Sequence, residues 1–155
     1  MAEQPSSAAD VIQLVKDHDV RFIRLWFTDV LGQLKSFSVN ASELEDAFEG
    51  GMGFDGSSIT GFNPIEESDM LAVPDPDSVI QLPWKKDVAW VAANCIMDDK
   101  EVDQTPRNTL RRLISEAAGD GMHVKTGVEA EFFLISPDGS VISDQYDTAS
   151  KPCYD

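Results

Sequence analysis

Ten consecutive residues, Val88 to Met97 (VAWVAANCIM), carry no charge and little that is polar. Their β-branched, aromatic and small side chains predict a strand, and one this apolar belongs in the middle of a sheet. The rest of the first hundred residues supplies its partners. Ser7 and Asp10 form a capping-box pattern ahead of Val11, Leu14 and Val15, which predicts a helix over residues 8–17. Val20 to Thr28 alternates Ile23, Leu25 and Phe27 onto one face, and Asp29-Val30-Leu31-Gly32 turns the chain into a returning strand, Leu34 to Val39. A second capping pattern, Ser42 with Glu45, opens a helix with Leu44, Ala47 and Phe48 on one side, closed by Gly50-Gly51. Gly51 to Phe62, with four glycines and two serines in twelve residues, reads as loop. Short strands follow at Met70–Val73 and Val79–Leu82, separated by Pro74-Asp75-Pro76-Asp77. One small sheet with a helix or two packed on it is an α+β pattern.

The pattern changes near residue 103. Thr105-Pro106 places a cap and then proline at the first helical position, followed by Leu110, Leu113, Ile114, Ala117 and Ala118 at helical spacing; Gly119 and Gly121 stop the helix. A strand is expected from Val124 to Ile135, after which Pro137-Asp138-Gly139 turns the chain into Val141-Ile142. These elements look like the opening of a second domain. They are too few to bury both faces of its strand, so the chain is expected to be truncated.

Charge narrows the range of partners. Twelve basic residues against 28 acidic ones leave a net charge of −16. A surface of that sign repels phosphate backbones and anionic lipid, which argues against nucleic acid and membrane partners; its simplest use is solubility. Met1 to Ser7 has neither a basic n-region nor an apolar h-region, so a secretory signal is not indicated. Cys95 and Cys153 stand far apart with no CxxC partner, as reduced thiols do, and the expected location is cytoplasmic. His18 and His123 lack partners at metal-binding spacing, Arg111-Arg112 reads as solvated, and neither a Walker A loop nor a dinucleotide GxGxxG is present.

Two segments carry carboxylates in suggestive settings. In Gly127-Val128-Glu129-Ala130-Glu131-Phe132-Phe133, strand geometry projects Glu129 and Glu131 to one face and Val128, Ala130 and Phe132 to the other. Two ionised carboxylates roughly 7 Å apart at their Cα atoms repel when desolvated, and a hard divalent cation such as Mg²⁺ or Mn²⁺ would relieve the conflict. By spacing alone, an amphipathic strand with its glutamates in water is the simpler account. In Phe54-Asp55-Gly56-Ser57-Ser58-Ile59, a glycine beside the aspartate allows a tight loop with backbone close to a ligand. Asp55 could there bind a cation or act as a base, with the serines as hydrogen-bond donors, or simply close an Asx-turn.

Taken in order, VRFIRLWFTDVLG at 20–32, FDGSSITGF at 54–62, ESDM at 67–70, PDP at 74–76, DQTPRN at 103–108 and GVEAEFF at 127–133 resemble glutamine synthetase. The first half is similar to the bacterial type I enzymes, and the later part, through DTASKPCYD at 147–155, to a branch labelled type III. The resemblance implies an N-terminal helical segment (1–17), a β-grasp domain (18–103) and the incomplete start of a catalytic α/β domain (104–155). It implies a ligase that makes γ-glutamyl phosphate from ATP and glutamate and lets ammonia displace the phosphate. Of the two active-site metals, Mg²⁺ or Mn²⁺, Glu131 would ligate one and Glu129 the other. Asp55 matches the aspartate that holds ammonium and removes its proton, and Ser58 and Asp69 match residues near that site. In the family this loop reaches a neighbouring subunit, so the resemblance also implies a ring oligomer, two stacked rings forming a dodecamer.

The further metal ligands, the ATP-contacting segments and the glutamate-binding arginines of the family would lie beyond residue 155, so this chain alone is expected to lack ligase activity. Two rival readings stand beside this one: a γ-glutamyl-amine ligase of the same family using another amine, and a non-catalytic β-grasp interaction module.

Overall fold

The computed structural model describes residues 5–132 and 136–140. The chain divides into two compact units, Met1–His123 and Val124–Asp155. In the first, the order of elements is α1 (Ala8–Asp17), β1 (Phe22–Thr28), β2 (Leu34–Asn40), α2 (Leu44–Gly50), β3 (Met52–Asp55), β4 (Asp69–Pro74), β5 (Ile80–Gln81), β6 (Val88–Met97), β7 (Lys100–Glu101) and α3 (Pro106–Gly119).

β6 lies in the middle of the sheet, as its composition predicts. Along one edge, residues 88–92 pair in parallel with β1; along the other, β5 pairs at Ala89 and Trp90 and β4 at Ala93 to Ile96, both antiparallel. β2 and β3 extend the sheet outward to give the order β2-β1-β6-β4-β3. Two-sided pairing satisfies the backbone of β6, while its alternate side chains Ala89, Val91, Ala93 and Cys95 are buried on one face.

That face meets the helices. Ile23 and Leu25 of β1, Val39 of β2, and Ala89 and Val91 of β6 pack with Val11 and Val15 of α1 and Leu44 of α2. The Ser7 hydroxyl caps α1 by accepting from the Asp10 amide at 3.2 Å. At α2 the capping differs from expectation: Glu43 accepts from the Asn40 amide at 3.0 Å, so the box is Asn40/Glu43 rather than Ser42/Glu45. The chain enters α2 through a 3₁₀ turn over Ala41–Glu43, which moves the first orphan amide two residues upstream. Gly51, at φ 74°, ends α2 in the left-handed region.

The end of β6 lies beyond this helix-covered core and has its own cluster of Phe27, Met70, Cys95 and Val102, flanked by Phe54, Ile59 and Phe62. Burial pushes the Cys95 thiol up to about 12. On the opposite face, Trp26 of β1 and Trp90 of β6 stack with centroids 4.9 Å apart and planes 8° from parallel.

α3 begins at Pro106, as predicted. Its first turn ties it to the sheet: buried Asn108 donates to the Cys95 carbonyl at 2.8 Å, and Arg107 bonds Asn94 and forms an ion pair with Asp75. The expected apolar stripe behaves otherwise. Leu110, Leu113 and Ile114 are exposed, because no described element covers their side of the helix. Arg111 and Arg112 pair with Glu101 and Glu116, consistent with a solvated face.

The strand expected over Val124–Ile135 is absent among the described residues: 122–132 hold no regular structure, and Val128 is 94% exposed. Alternation favours extended backbone, but a strand exists only through a hydrogen-bonded ladder, and no described segment pairs with this one. The Pro137-Asp138-Gly139 turn forms, with the Gly139 amide donating to Ser136 at 2.8 Å. Val141-Ile142 and Cys153 lie outside the described residues.

Leu25, fully buried in the principal core, and Leu31, 69% exposed, provide a test of this packing. Leu25→Ala is expected to cost about 2–5 kcal/mol and Leu31→Ala no more than about 0.5 kcal/mol, read as denaturant midpoints.

Candidate active site

The segment expected to be loop throughout contains β3, which forms because Met52 and Phe54 turn inward to pack on the core while Gly53 and Asp55 face out. Glycine content hid a four-residue strand whose pattern is nevertheless alternating. β3 pairs antiparallel with β4, and this register sets Asp55 opposite Asp69. Directly opposed residues in such a pair lie about 4.5–5.5 Å apart at Cα.

Beyond Asp55 the chain leaves the sheet in a 3₁₀ turn, Gly56–Ser58. The Gly56 amide donates to Ser68 at 2.7 Å. Gly56 lies so close to β4 that a Cβ there would fall 2.3 Å from Met70 Sδ, so only glycine fits without displacing Met70. One Asp55 carboxylate oxygen accepts from the Ser57 amide at 2.9 Å and the Ser57 hydroxyl at 2.6 Å; the other accepts from the Ser58 hydroxyl at 2.8 Å. The Asx-turn is therefore real, and it presents an exposed, ionised carboxylate. The Ser57 and Ser58 hydroxyls hold the Asp55 carboxyl below its usual range, outweighing the opposing effect of partial burial.

An open groove runs from Gly53 and Asp55 past Asp69 and Leu71 to Met97 and Asp98. Asp98 and Asp99 enter it from the β6–β7 turn, where both adopt the left-handed conformation at φ 49° and 59°. Asp98 and Asp99 are not among the residues singled out by motif or spacing in the sequence. The short spacing between the apolar run ending at Met97 and Lys100-Glu101, bridged by Asp-Asp, was the available hairpin signal.

The structure thus brings together three of the five expected site residues, Asp55, Ser58 and Asp69, in the first unit. Glu129 and Glu131 belong to the second unit, where both are exposed. Their oxygens have the chemistry a hard divalent cation prefers. Among the described residues, no group of three or more His, Cys, Asp or Glu side chains is placed to hold a metal. His18 bonds Gln81 at 2.9 Å, in keeping with a structural role. No helix among the described residues is long and apolar enough to cross a membrane.

Residues 19–98 match the family model described as the glutamine synthetase β-grasp domain. A glutamine synthetase of Rhizobium leguminosarum bv. phaseoli is 52% identical over 146 residues, covering 94% of this chain and 34% of the relative. One of Mycolicibacterium smegmatis is 45% identical over 133 residues, covering 82% and 30%. Among solved structures, a GmaS/ADP complex superposes with a TM-score of 0.79 at 40% identity, covering all of this chain and 34% of that one. Plasmodium falciparum glutamine synthetase, at 20% identity and a TM-score of 0.66, shares the fold over 75% of this chain and 23% of its own. The chain spans about a third of the length of the curated relatives it matches.

The serine hydroxyls give the site a measurable signature. A carboxyl whose folded pKa is depressed adds stability above its unfolded value, about 3.9, and loses it as pH falls through the folded pKa. In the double variant Ser57→Ala, Ser58→Ala, the Asp55 pKa is expected to rise toward that value and the acid-side loss of stability due to Asp55 to shrink. Carboxyl-carbon NMR titration checks this, and an unchanged Asp55 titration would count against the two hydroxyls as its controlling partners.

Proposed function

The chain belongs to the glutamine synthetase family, and on that footing we propose that the protein carrying it joins ammonia to glutamate at the expense of ATP, through γ-glutamyl phosphate. The observation that carries this reading is the Asp55–Asp69 cross-strand pair. Like charges placed opposite one another on neighbouring strands repel, and a small cation between them removes the repulsion. Ammonium is such a cation.

In this reading Asp55 holds ammonium, with Ser58 and Asp69 beside it. Ammonium has no lone pair, so a proton must leave before nitrogen can attack. The hydrogen bonds that keep Asp55 ionised also make it a weak base. It therefore draws one proton from ammonium in an unfavourable pre-equilibrium that leaves the N–H electron pair on nitrogen; the ammonia so formed attacks the acyl carbon, phosphate departs, and the nitrogen then sheds a second proton. Glu129 and Glu131 would each ligate a divalent cation, Mg²⁺ or Mn²⁺, whose charge offsets that of the transferring phosphoryl group. Residues 18–103 would be the β-grasp domain and the segment from residue 104 the start of the catalytic one. Assembly with copies of the same subunit in a cytoplasmic ring completes the reading, since it supplies the neighbour that the Asp55 loop would serve.

A second amine is favoured by one feature of the groove: beside the two carboxylates it is lined by the apolar Leu71, Ile96 and Met97, against which an alkyl group could rest. Comparing ammonium with methylamine, ethanolamine and polyamines as acceptors in the full-length protein separates the two.

Asp55→Asn keeps the shape and removes the charge. It is expected to lower amine-dependent product formation by about 10²–10⁴-fold while ATP still binds. Product formation within a fewfold of the parent protein would overturn the role given to Asp55.

A further inference from the structure

We propose that Val30, at the tip of the β1–β2 turn, is a positioning residue for the Asp55 carboxylate. The inference rests on the reading of Asp55 as the amine-holding group.

The segment from Asp55 to Phe62 has no ladder of its own beyond its first residue. It is a relay of tight turns, the Ile59 amide donating to Gly56 and the Phe62 amide to Ile59, each at 3.1 Å. Such a relay keeps its shape only where something outside it is fixed. Near Asp55 the anchor is Gly56 on Met70. At the far end there are two anchors. Phe62 lies 6.1 Å from Phe27, ring centre to ring centre, and Gly61 lies on Val30. A Cβ on Gly61 would fall 2.3 Å from Val30 Cγ2 and 2.9 Å from Cγ1, and its φ of 79° itself favours glycine.

Val30 is a firm stop because of the residue before it. Asp29 has no solvent exposure. One of its carboxylate oxygens accepts from the Leu31 and Gln33 amides, both at 2.9 Å, and the Lys35 ammonium lies 3.4 Å from the other. The Gly32 amide donates to the Asp29 carbonyl at 3.0 Å. A buried carboxylate with these partners strongly resists being moved away from them, so it locks the turn. Val30, stiff at χ1, projects from that locked turn. It remains 43% exposed, so the core has little claim on it. Its close packing is against the loop that begins at Asp55.

The loop that carries Asp55 is therefore held by Met70 at one end and by Val30, with Phe27, at the other. Shifts of about 1 Å in a reacting group are enough to alter turnover substantially. Trimming Val30 to alanine removes one stop and leaves the core intact.

The test is steady-state kinetics on the full-length protein carrying Val30→Ala, Val30→Ile and, separately, Asp55→Asn. Val30→Ala is expected to raise the KM for ammonium about fivefold and to lower kcat by a similar factor, with the KM values for ATP and glutamate and Tm nearly unchanged, as for displacement of a group that both holds and deprotonates the amine. Val30→Ile, which keeps the β-branch, should restore the parent KM. An unchanged ammonium KM in Val30→Ala, or an equal loss across all three substrates with a lowered Tm, would overturn the inference. The Asp55→Asn arm distinguishes the failures. If it abolishes amine-dependent turnover while Val30→Ala is silent, only the positioning role falls. If it leaves turnover intact, the ammonium reading falls and takes this inference with it.

Discussion

The pairing of β6 on both edges is the constraint from which the rest of the first unit follows. A strand bonded to β1 on one side and to β5 and β4 on the other has partners along both edges for most of its length. Because β1 and β6 run parallel, the chain between them must cross over, and it uses that length to build the flanking strands and α2. β6 is also longer than α1 and α2 can cover. Its last residues therefore need a separate apolar cluster, and the turns after Asp55 supply Ile59 and Phe62 to it. The location of the candidate site is thus a consequence of strand length: the Asp55 loop serves as the cover for the uncovered end of the central strand.

Electrostatically the site is consistent with the whole chain. The net charge of −16 favours cations near the surface, and the Asp55–Asp69 pair concentrates that preference at one point. The same charge works against the phosphate-bearing co-substrate of the proposed reaction. In the proposed reaction, attraction for the two substrates would then come from different places, carboxylates for the amine and bound divalent cations for the phosphates.

Much of this was legible in the sequence. The central position of β6, the β1–β2 hairpin, the Thr105-Pro106 helix start and the glycine stops all follow from local rules, and local rules suffice where burial and turn chemistry point the same way. β3 was not legible as a strand because three of the five residues from Gly51 to Asp55 are glycine or aspartate, which local propensity assigns to loop; pairing with β4 overrides it. The apolar stripe of α3 and the alternation after Val124 failed for the opposite reason. Both patterns are present in the sequence, but a pattern creates buried structure only when a partner surface lies against it. The Asp55 motif was readable as an Asx-turn from its own residues; its placement opposite Asp69 depended on a register that no local rule specifies.

The stacked indoles of Trp26 and Trp90 have an optical consequence. Two chromophores in near-parallel planes 4.9 Å apart couple their electronic transitions, so the ultraviolet absorption of this indole pair depends on the seam between β1 and β6 holding the rings together. The strands that carry these rings are the parallel pair on which the fold depends. Light absorption by the native chain therefore includes a direct readout of whether that seam is closed, independent of how much helix remains.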